Sequence, residues 1–300
     1  MPDLSLLLPV YECPCVELVE ELHRQCSALH IDFEIIVADD GSPDRRFQEQ
    51  NKAIERLPHT RYIVRRENVG RSAIRNFLAR EAKAPRLVFV DGDMKLHNPT
   101  FVATYLDCPR GKVVYGGYSI GPLSNPEEKG NLRRRYEEAF SANHRADVRN
   151  HHPYHDFHTS NFLVDRSVMM ETPLDENFHH YGYEDILWGK QLRGHGIEIT
   201  HINNPVSFDD FEDNAHFLRK TEESLRTLKL FSHELQGYSA LLGKYRIIKR
   251  LNMGKMVNFF YKSVRKPMLT PSKAIIRELD RKSTRLNSSH IGSSRMPSSA

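Results

Sequence analysis

Only four cysteines and a single tryptophan occur among the 300 residues. Cys13, Cys15 and Cys26 crowd near the N-terminus while Cys108 stands apart, and no C-x-x-C spacing links them. This excludes a zinc knuckle or a disulfide framework, and the four are expected to be reduced thiols. Long hydrophobic runs are missing too. The stretches Leu4 to Pro9 and Arg86 to Val90 fall far short of the roughly 20 apolar residues of a membrane-spanning helix, and no signal peptide precedes them. The chain is therefore expected in the cytoplasm. The formal charge of +4 comes largely from residues 280–300, where Arg281, Lys282, Arg285 and Arg295 accompany one acid, Asp280. The body without them is nearly neutral, so a general nucleic-acid footprint is not expected. With 39% hydrophobic and 27% charged residues, disorder throughout is excluded.

Residues 280–300 are serine-rich and lack hydrophobic period, the composition of a disordered tail. DRKSTRLNSSH also resembles the in-frame translation of a sequencing adapter. A non-native tail is therefore expected from Asp280, with the natural gene truncated near Leu279. Resequencing the locus tests this, and an unbroken native frame would refute it.

The first hundred residues alternate short apolar runs with helical-period segments, a βαβ pattern. Leu4 to Val10, Phe33 to Asp39, Thr60 to Arg65 and Arg86 to Asp91 read as strands, with helices over about Cys15 to Leu29 and Gly70 to Lys83. Beyond these, Lys112 to Ile120 reads as a strand, Asn125 to Asn143 as a charged helix and Val148 to His158 as an irregular histidine-rich loop. Ser160 to Arg166 and Ile197 to Ile202 return to strand character, Glu184 to Gly196 is a helix closed by glycine, and Asn214 to Leu235 has helical spacing. Ligands in open α/β sheets bind at the carboxyl ends of the strands, where these strands turn polar.

Asp91-Gly92-Asp93 places two carboxylates one residue apart at such an end. The pair suits Mg²⁺ or Mn²⁺, which take oxygen ligands and keep positions open for phosphate oxygens, although a solvated turn would look the same. Asp39-Asp40-Gly41-Ser42 repeats the pattern. Ser42 or Asp44 can cap the next helix, which leaves an acid able to accept from a nucleobase imide. Tyr11, after Pro9, is placed to stack on a base or to line the rim. Asn68-Val69-Gly70 followed by Arg75 joins a helix start to a guanidinium, a pairing that favours a diphosphate but also occurs in an ordinary capped helix. Tyr183-Glu184-Asp185 opens a helix, where an acid either complements the dipole or serves as a general base. Trp188, one turn on, either packs the core or floors a sugar site. The histidines at 151, 152, 155, 158, 179 and 180 match no standard zinc spacing and are expected as mobile loop residues near an acceptor.

In order, LLPVYE, VADDGS, ENVGRSAIRN, FVDGD, TSNFLVDR and GYEDILWGKQLRGHG resemble the series found in family 2 glycosyltransferases of the GT-A fold, over roughly Leu4 to Leu235. The resemblance implies an α/β fold with a mostly parallel central sheet flanked by helices, here with a C-terminal helical extension. It implies a nucleotide-diphosphosugar donor, most commonly of uridine, a divalent metal, and transfer with inversion to a saccharide or lipid-linked hydroxyl. Carried over, Pro9, Tyr11 and Glu12 border the nucleoside, Asp39 meets the base, and Arg75 lies near the diphosphate. Asp91 contacts ribose or donor sugar, Asp93 binds metal, Asp185 is the base, and Glu184 orients a hydroxyl. Many members carry a histidine metal ligand near the place of Phe208. His201, Asp209 or Asp210 would have to replace it.

The expected organisation is a glycosyltransferase domain over 1–235, a basic helical extension over 236–279 and the tail over 280–300. From Lys244 to Arg277 basic residues recur without one acid, interleaved with aromatics around Asn258 to Met268. Such a helix either lies on an anionic membrane at the inner face of the cytoplasmic membrane or packs its apolar side on the catalytic domain. Two other functions compete. A haloacid-dehalogenase-like phosphohydrolase also has a strand ending in D-x-D, but Lys95 stands where threonine or valine is wanted. A non-catalytic sugar-nucleotide-binding module would not need both acid pairs.

Overall fold

The computed structural model describes residues 1–122, 130–209 and 211–269. The described residues group into two units, residues 1–121 with 141–209, and residues 122 and 130–140 with 211–269. The first holds a seven-stranded sheet. β1 (Leu4–Val10), β2 (Phe33–Asp39) and β4 (Arg86–Val90) are almost wholly buried, and β3 (Thr60–Val64) forms one edge. Near-continuous apolar runs are what parallel strands covered on both faces require.

Within the order β3-β2-β1-β4-β7-β5-β8, the chain leaves β1 toward β2 and β3 and then returns to β4 on the other side of β1. That reversal makes the carboxyl ends of β1 and β4 the switch point where an open sheet forms its crevice. β7 (Asn161–Asp165) runs antiparallel to β4, with Val90 opposite Asn161, so the approach to β7 lies beside the end of β4. β5 (Val113–Tyr115) and β8 (Ile199–His201) are parallel to each other and complete the sheet.

The strand expected over Lys112 to Ile120 is divided. After β5, Gly116 and Gly117 turn the chain into β6 (Tyr118–Ile120), which pairs only with β9 (Val206–Phe208). Gly117 has φ +86°, a conformation that disfavours any other residue, and its carbonyl accepts from Asn161 Nδ2 at 2.9 Å. Three-residue β9 carries too little pattern to be seen in sequence.

Helix α1 (Val16–Ala28) fills the β1–β2 crossover, α2 (Arg45–Asn51) follows β2, α3 (Arg71–Glu81) precedes β4, and α4 (Phe101–Leu106) precedes β5. α6 (Ala146–Arg149), α7 (Arg166–Glu171) and α8 (Glu184–Gly194) lie in the second half of this unit. Trp188 of α8 is fully buried, its Nε1–H donates to the Thr172 carbonyl at 2.7 Å, and its ring meets Phe157 and Phe162. It is a core residue and floors no sugar site.

In the second unit, α5 (Leu132–Phe140) lies within the span Asn125 to Asn143 expected as a helix, of which 125–129 fall outside the described residues, and α9 (Asn214–Leu230) realises the helix expected from Asn214. α9, expected in the first domain, groups with α5 here. α10 (Ala240–Arg250) and α11 (Gly254–Leu269) follow, and the Arg265 guanidinium of α11 donates to Glu222 of α9 at 2.7 Å. The tail expected over 280–300 lies outside the described residues. All four cysteines are unpaired by disulfide, and burial pushes the Cys15 and Cys26 thiols up to about 12.

Candidate active site

Three sets of backbone contacts fix the Asp91-Gly92-Asp93 turn. Gly92 N–H donates to the Pro9 carbonyl at 3.1 Å, Asp91 N–H to Ser160 at 2.9 Å, and Lys95 and Ser207 exchange bonds of 2.9 and 2.7 Å. β1, β4, the approach to β7 and β9 therefore meet at one turn. A Cβ on Gly92 would come within 2.5 Å of Val10 Cγ2, so only glycine allows this approach.

Asp91 and Arg75 form a fully buried ion pair through Arg75 Nη2. Burial pushes the Asp91 carboxyl up, Arg75 and then Arg71 pull it down, and the charge of Asp185 pushes it up again. Arg75, expected near the diphosphate, is only 1% exposed and is paired with Asp91. The half-buried guanidinium is Arg71, one turn earlier on the same face of α3 and 4.4 Å above the Tyr181 ring. Its charge acts on both Asp91 and Glu184. The i, i+4 spacing of R-S-A-I-R was the available signal for Arg71.

At the end of β2 both acids are occupied. Asp39 is fully buried, accepting from Ser42 N–H at 2.7 Å and from Tyr62 O–H at 3.1 Å. Asp40 accepts from Val69 and Gly70 N–H at 3.1 and 3.0 Å, and burial still pushes its carboxyl up. Asp39, expected against a nucleobase, is thus enclosed by the protein's own donors, and Asp44 is the cap of α2. Tyr11 and Glu12 are exposed at the rim beside Pro9, with Glu12 N–H donating to Ser42 Oγ at 2.8 Å.

Tyr183, buried and left-handed at φ +72°, turns the chain into α8. Such a conformation in a bulky residue costs on the order of 1–3 kcal/mol and marks a place where the surrounding fold over-determines the backbone. Glu184 and Asp185 follow, both buried. Glu184 Oε2 has no hydrogen-bond partner among the described residues, and burial together with the charge of Asp185 pushes its carboxyl up. Asp185 Oδ1 accepts from Ile186 N–H at 2.8 Å, and Oδ2 lies 2.8 Å from His158 Nδ1. His158 is buried beside the Tyr115 and Tyr118 rings, not a mobile loop residue as expected, whereas His151, His152, His179 and His180 are exposed.

His201 does not replace the expected histidine ligand. Arg149 Nε–H donates to its Nδ1 at 3.0 Å, which leaves Nε2–H to donate to the Pro153 carbonyl at 2.9 Å. Both ring nitrogens are consumed. Asp209 is brought to the D-G-D loop by the Lys95–Ser207 pairing, with Oδ2 at 3.5 Å from Lys95 Nζ and 3.6 Å from His97 Nε2. Asp210 lies outside the described residues. Among the described residues no group of three or more His, Cys, Asp or Glu side chains is gathered for a metal. Asp93 at the end of the D-G-D turn offers carboxylate oxygens, a donor type that fits a hard cation taking its remaining ligands from water and phosphate.

The family model described as glycosyl transferase family 2 matches residues 5–172. The chain belongs to this family. It is 31% identical over 259 residues to a validoxylamine A glucosyltransferase of Streptomyces hygroscopicus subsp. jinggangensis, which covers 77% of this chain and 59% of that protein. It thus spans well under two thirds of that relative's length. Among solved structures, a mannosyltransferase from Pyrobaculum calidifontis in complex with GDP-Man and Mn²⁺ superposes with a TM-score of 0.53 at 13% identity, covering 95% of this chain and 81% of that one. S. aureus TarS 1-349 in complex with UDP-GlcNAc gives 0.51 at 15% identity, over 78% and 67%. These likenesses show the GT-A fold. Family membership also removes the phosphohydrolase alternative.

Proposed function

We propose that this family member transfers a sugar, with inversion, from a nucleotide-diphosphosugar to a hydroxyl of a saccharide or lipid-linked acceptor. The observation that carries the reading is geometric: His158, which bonds Asp185 of α8, lies two residues before Ser160, whose carbonyl receives Asp91 N–H at the end of β4, so one short segment holds the acids of β4 and of α8. Asp185 is the base. It takes the acceptor proton as the acceptor oxygen bonds to the anomeric carbon and the bond from that carbon to the diphosphate breaks. Glu184, buried with one oxygen unpartnered, is suited to receive a sugar hydroxyl. Arg71 stands where it can neutralise charge growing on the leaving diphosphate. Pro9, Tyr11 and Glu12 border the nucleoside. A divalent ion, Mn²⁺ or Mg²⁺, held by Asp93 would add charge neutralisation on that diphosphate.

UDP-GlcNAc in TarS supports a uridine donor, while GDP-Man in the Pyrobaculum calidifontis enzyme keeps guanosine as the comparison. The test is release of nucleoside diphosphate from UDP-glucose, UDP-GlcNAc and GDP-mannose with Mn²⁺, using validoxylamine A and water as acceptors. Donor-dependent release supports transfer, and tight donor binding with no turnover on either acceptor would favour the binding module.

α11 exposes Phe259 and Phe260 among basic residues, which supports peripheral contact with an anionic membrane. No helix among the described residues is long and apolar enough to cross one. Co-sedimentation should be stronger with phosphatidylglycerol vesicles than with phosphatidylcholine vesicles. Equal binding to both would remove this contact from the proposal.

A further inference from the structure

A carboxylate that accepts a proton in one direction must be held in one orientation, and Asp185 is held by donors from two separate elements. Ile186 N–H, in the first turn of α8, fixes Oδ1, and His158, just ahead of β7, fixes Oδ2, each at 2.8 Å. The two bonds leave further lone-pair positions on the carboxylate open to a substrate hydroxyl. His158 cannot swing away. Its ring lies edge-on to Tyr115 and Tyr118, with centroids 5.9 and 6.0 Å distant, and it is 2% exposed.

The arrangement also selects the proton. An ionised carboxylate only accepts, so Nδ1 carries the hydrogen, and Nε2 is buried with no hydrogen-bond partner among the described residues. His201 shows the opposite tautomer in the same unit, since there Arg149 donates to Nδ1. The approach to β7 also anchors the acid of β4, because two residues after His158 the Ser160 carbonyl receives Asp91 N–H at 2.9 Å. One short segment thus ties the acid of α8 and the acid of β4 to the same backbone.

From this geometry we infer that His158 is the positioning residue of the transfer reaction, aiming the Asp185 carboxylate at the acceptor through an Nδ1–H bond. The inference rests on Asp185 being the base. It is distinct from a packing role, because only one ring nitrogen matters. Asparagine places its amide nitrogen close to where Nδ1 lies, and glutamine places its own close to Nε2.

The test compares His158→Ala, His158→Asn and His158→Gln by nucleoside diphosphate release from whichever of the three nucleotide sugars proves active. A general base contributes on the order of 10²–10⁴ in rate, and losing its orientation should forfeit about tenfold to a hundredfold of kcat in the alanine and glutamine variants. Asparagine should recover most of that loss, with donor KM unchanged in all three. If asparagine is no better than glutamine, or the loss falls on donor KM alone, the inference is overturned. Should the alanine variant fail to fold, the asparagine and glutamine pair decides. A readout independent of turnover is ¹⁵N NMR of the histidine rings, with the His158 signal assigned by its disappearance in His158→Asn. A protonated Nδ1 is expected, and an unprotonated Nδ1 would overturn the inference. Normal turnover in Asp185→Asn would instead remove the base itself, a result separable from every outcome above.

Discussion

Among the described residues, two pairs of adjacent acids are buried at both positions, Asp39–Asp40 after β2 and Glu184–Asp185 at the start of α8. At the first, protein donors reach all four carboxylate oxygens: Ser42 N–H, Tyr62 O–H, Val69 N–H and Gly70 N–H. At the second, both Asp185 oxygens are bonded as well, and only Glu184 Oε2 has no hydrogen-bond partner among the described residues. A buried unpartnered acceptor costs roughly 1–3 kcal/mol, which a fold retains when a ligand supplies the missing donor. The first pair joins the turn after β2 to β3 and to the start of α3 through these bonds, and the second leaves one acceptor open. Burial alone does not separate them; the completeness of their hydrogen bonding does.

The largest effect that would test this contrast is on turnover. Asp185→Asn should reduce nucleoside diphosphate release by about 10²–10⁴ while leaving donor binding by calorimetry nearly intact. Comparable turnover would move the base elsewhere. Asp93→Ala should weaken donor binding in Mn²⁺ by at least about tenfold, with little change when the metal is chelated, as titration calorimetry would show.

Two smaller effects belong to stability. Asp40→Ala leaves Val69 N–H without its acceptor and should cost about 1–3 kcal/mol in urea unfolding. An unchanged midpoint would mean that this bond contributes nothing to stability. Glu184→Gln should do the reverse. Burial and the charge of Asp185 push Glu184 up, so between the ordinary glutamate range and that raised value the folded chain binds more protons than the unfolded one, and stability falls as pH rises. Glutamine removes this contribution. The variant should gain on the order of 1 kcal/mol near neutral pH and little in acid, seen as a Tm difference that closes as pH falls. A Tm gain independent of pH would refute the electrostatic cause.

The parallel half of the sheet was legible because strands covered on both faces must be apolar almost throughout, as β1, β2 and β4 are. The small β6–β9 sheet was not, because three residues carry no period and Gly116-Gly117 reads as continuous with its strands. In the site, the D-G-D turn and the acids of α8 were visible as motifs. Arg71 and Arg75 share one helix face, so spacing could not tell which would be buried against Asp91. The histidines were equally indistinct. His158 and His201 differ in role only because Asp185 faces one and Arg149 the other.

The amino-acid order by itself determined where apolar strands end in acids and glycine, because alternation between burial and polarity is written locally along the chain. It also determined the basic, acid-free stretch after Gly243. The tertiary structure alone decided which polar groups are satisfied. Their partners come from other elements, as Asp91 takes Arg75 of α3 and Ser160 before β7, and a hydrogen bond between distant segments exists only once the chain is closed.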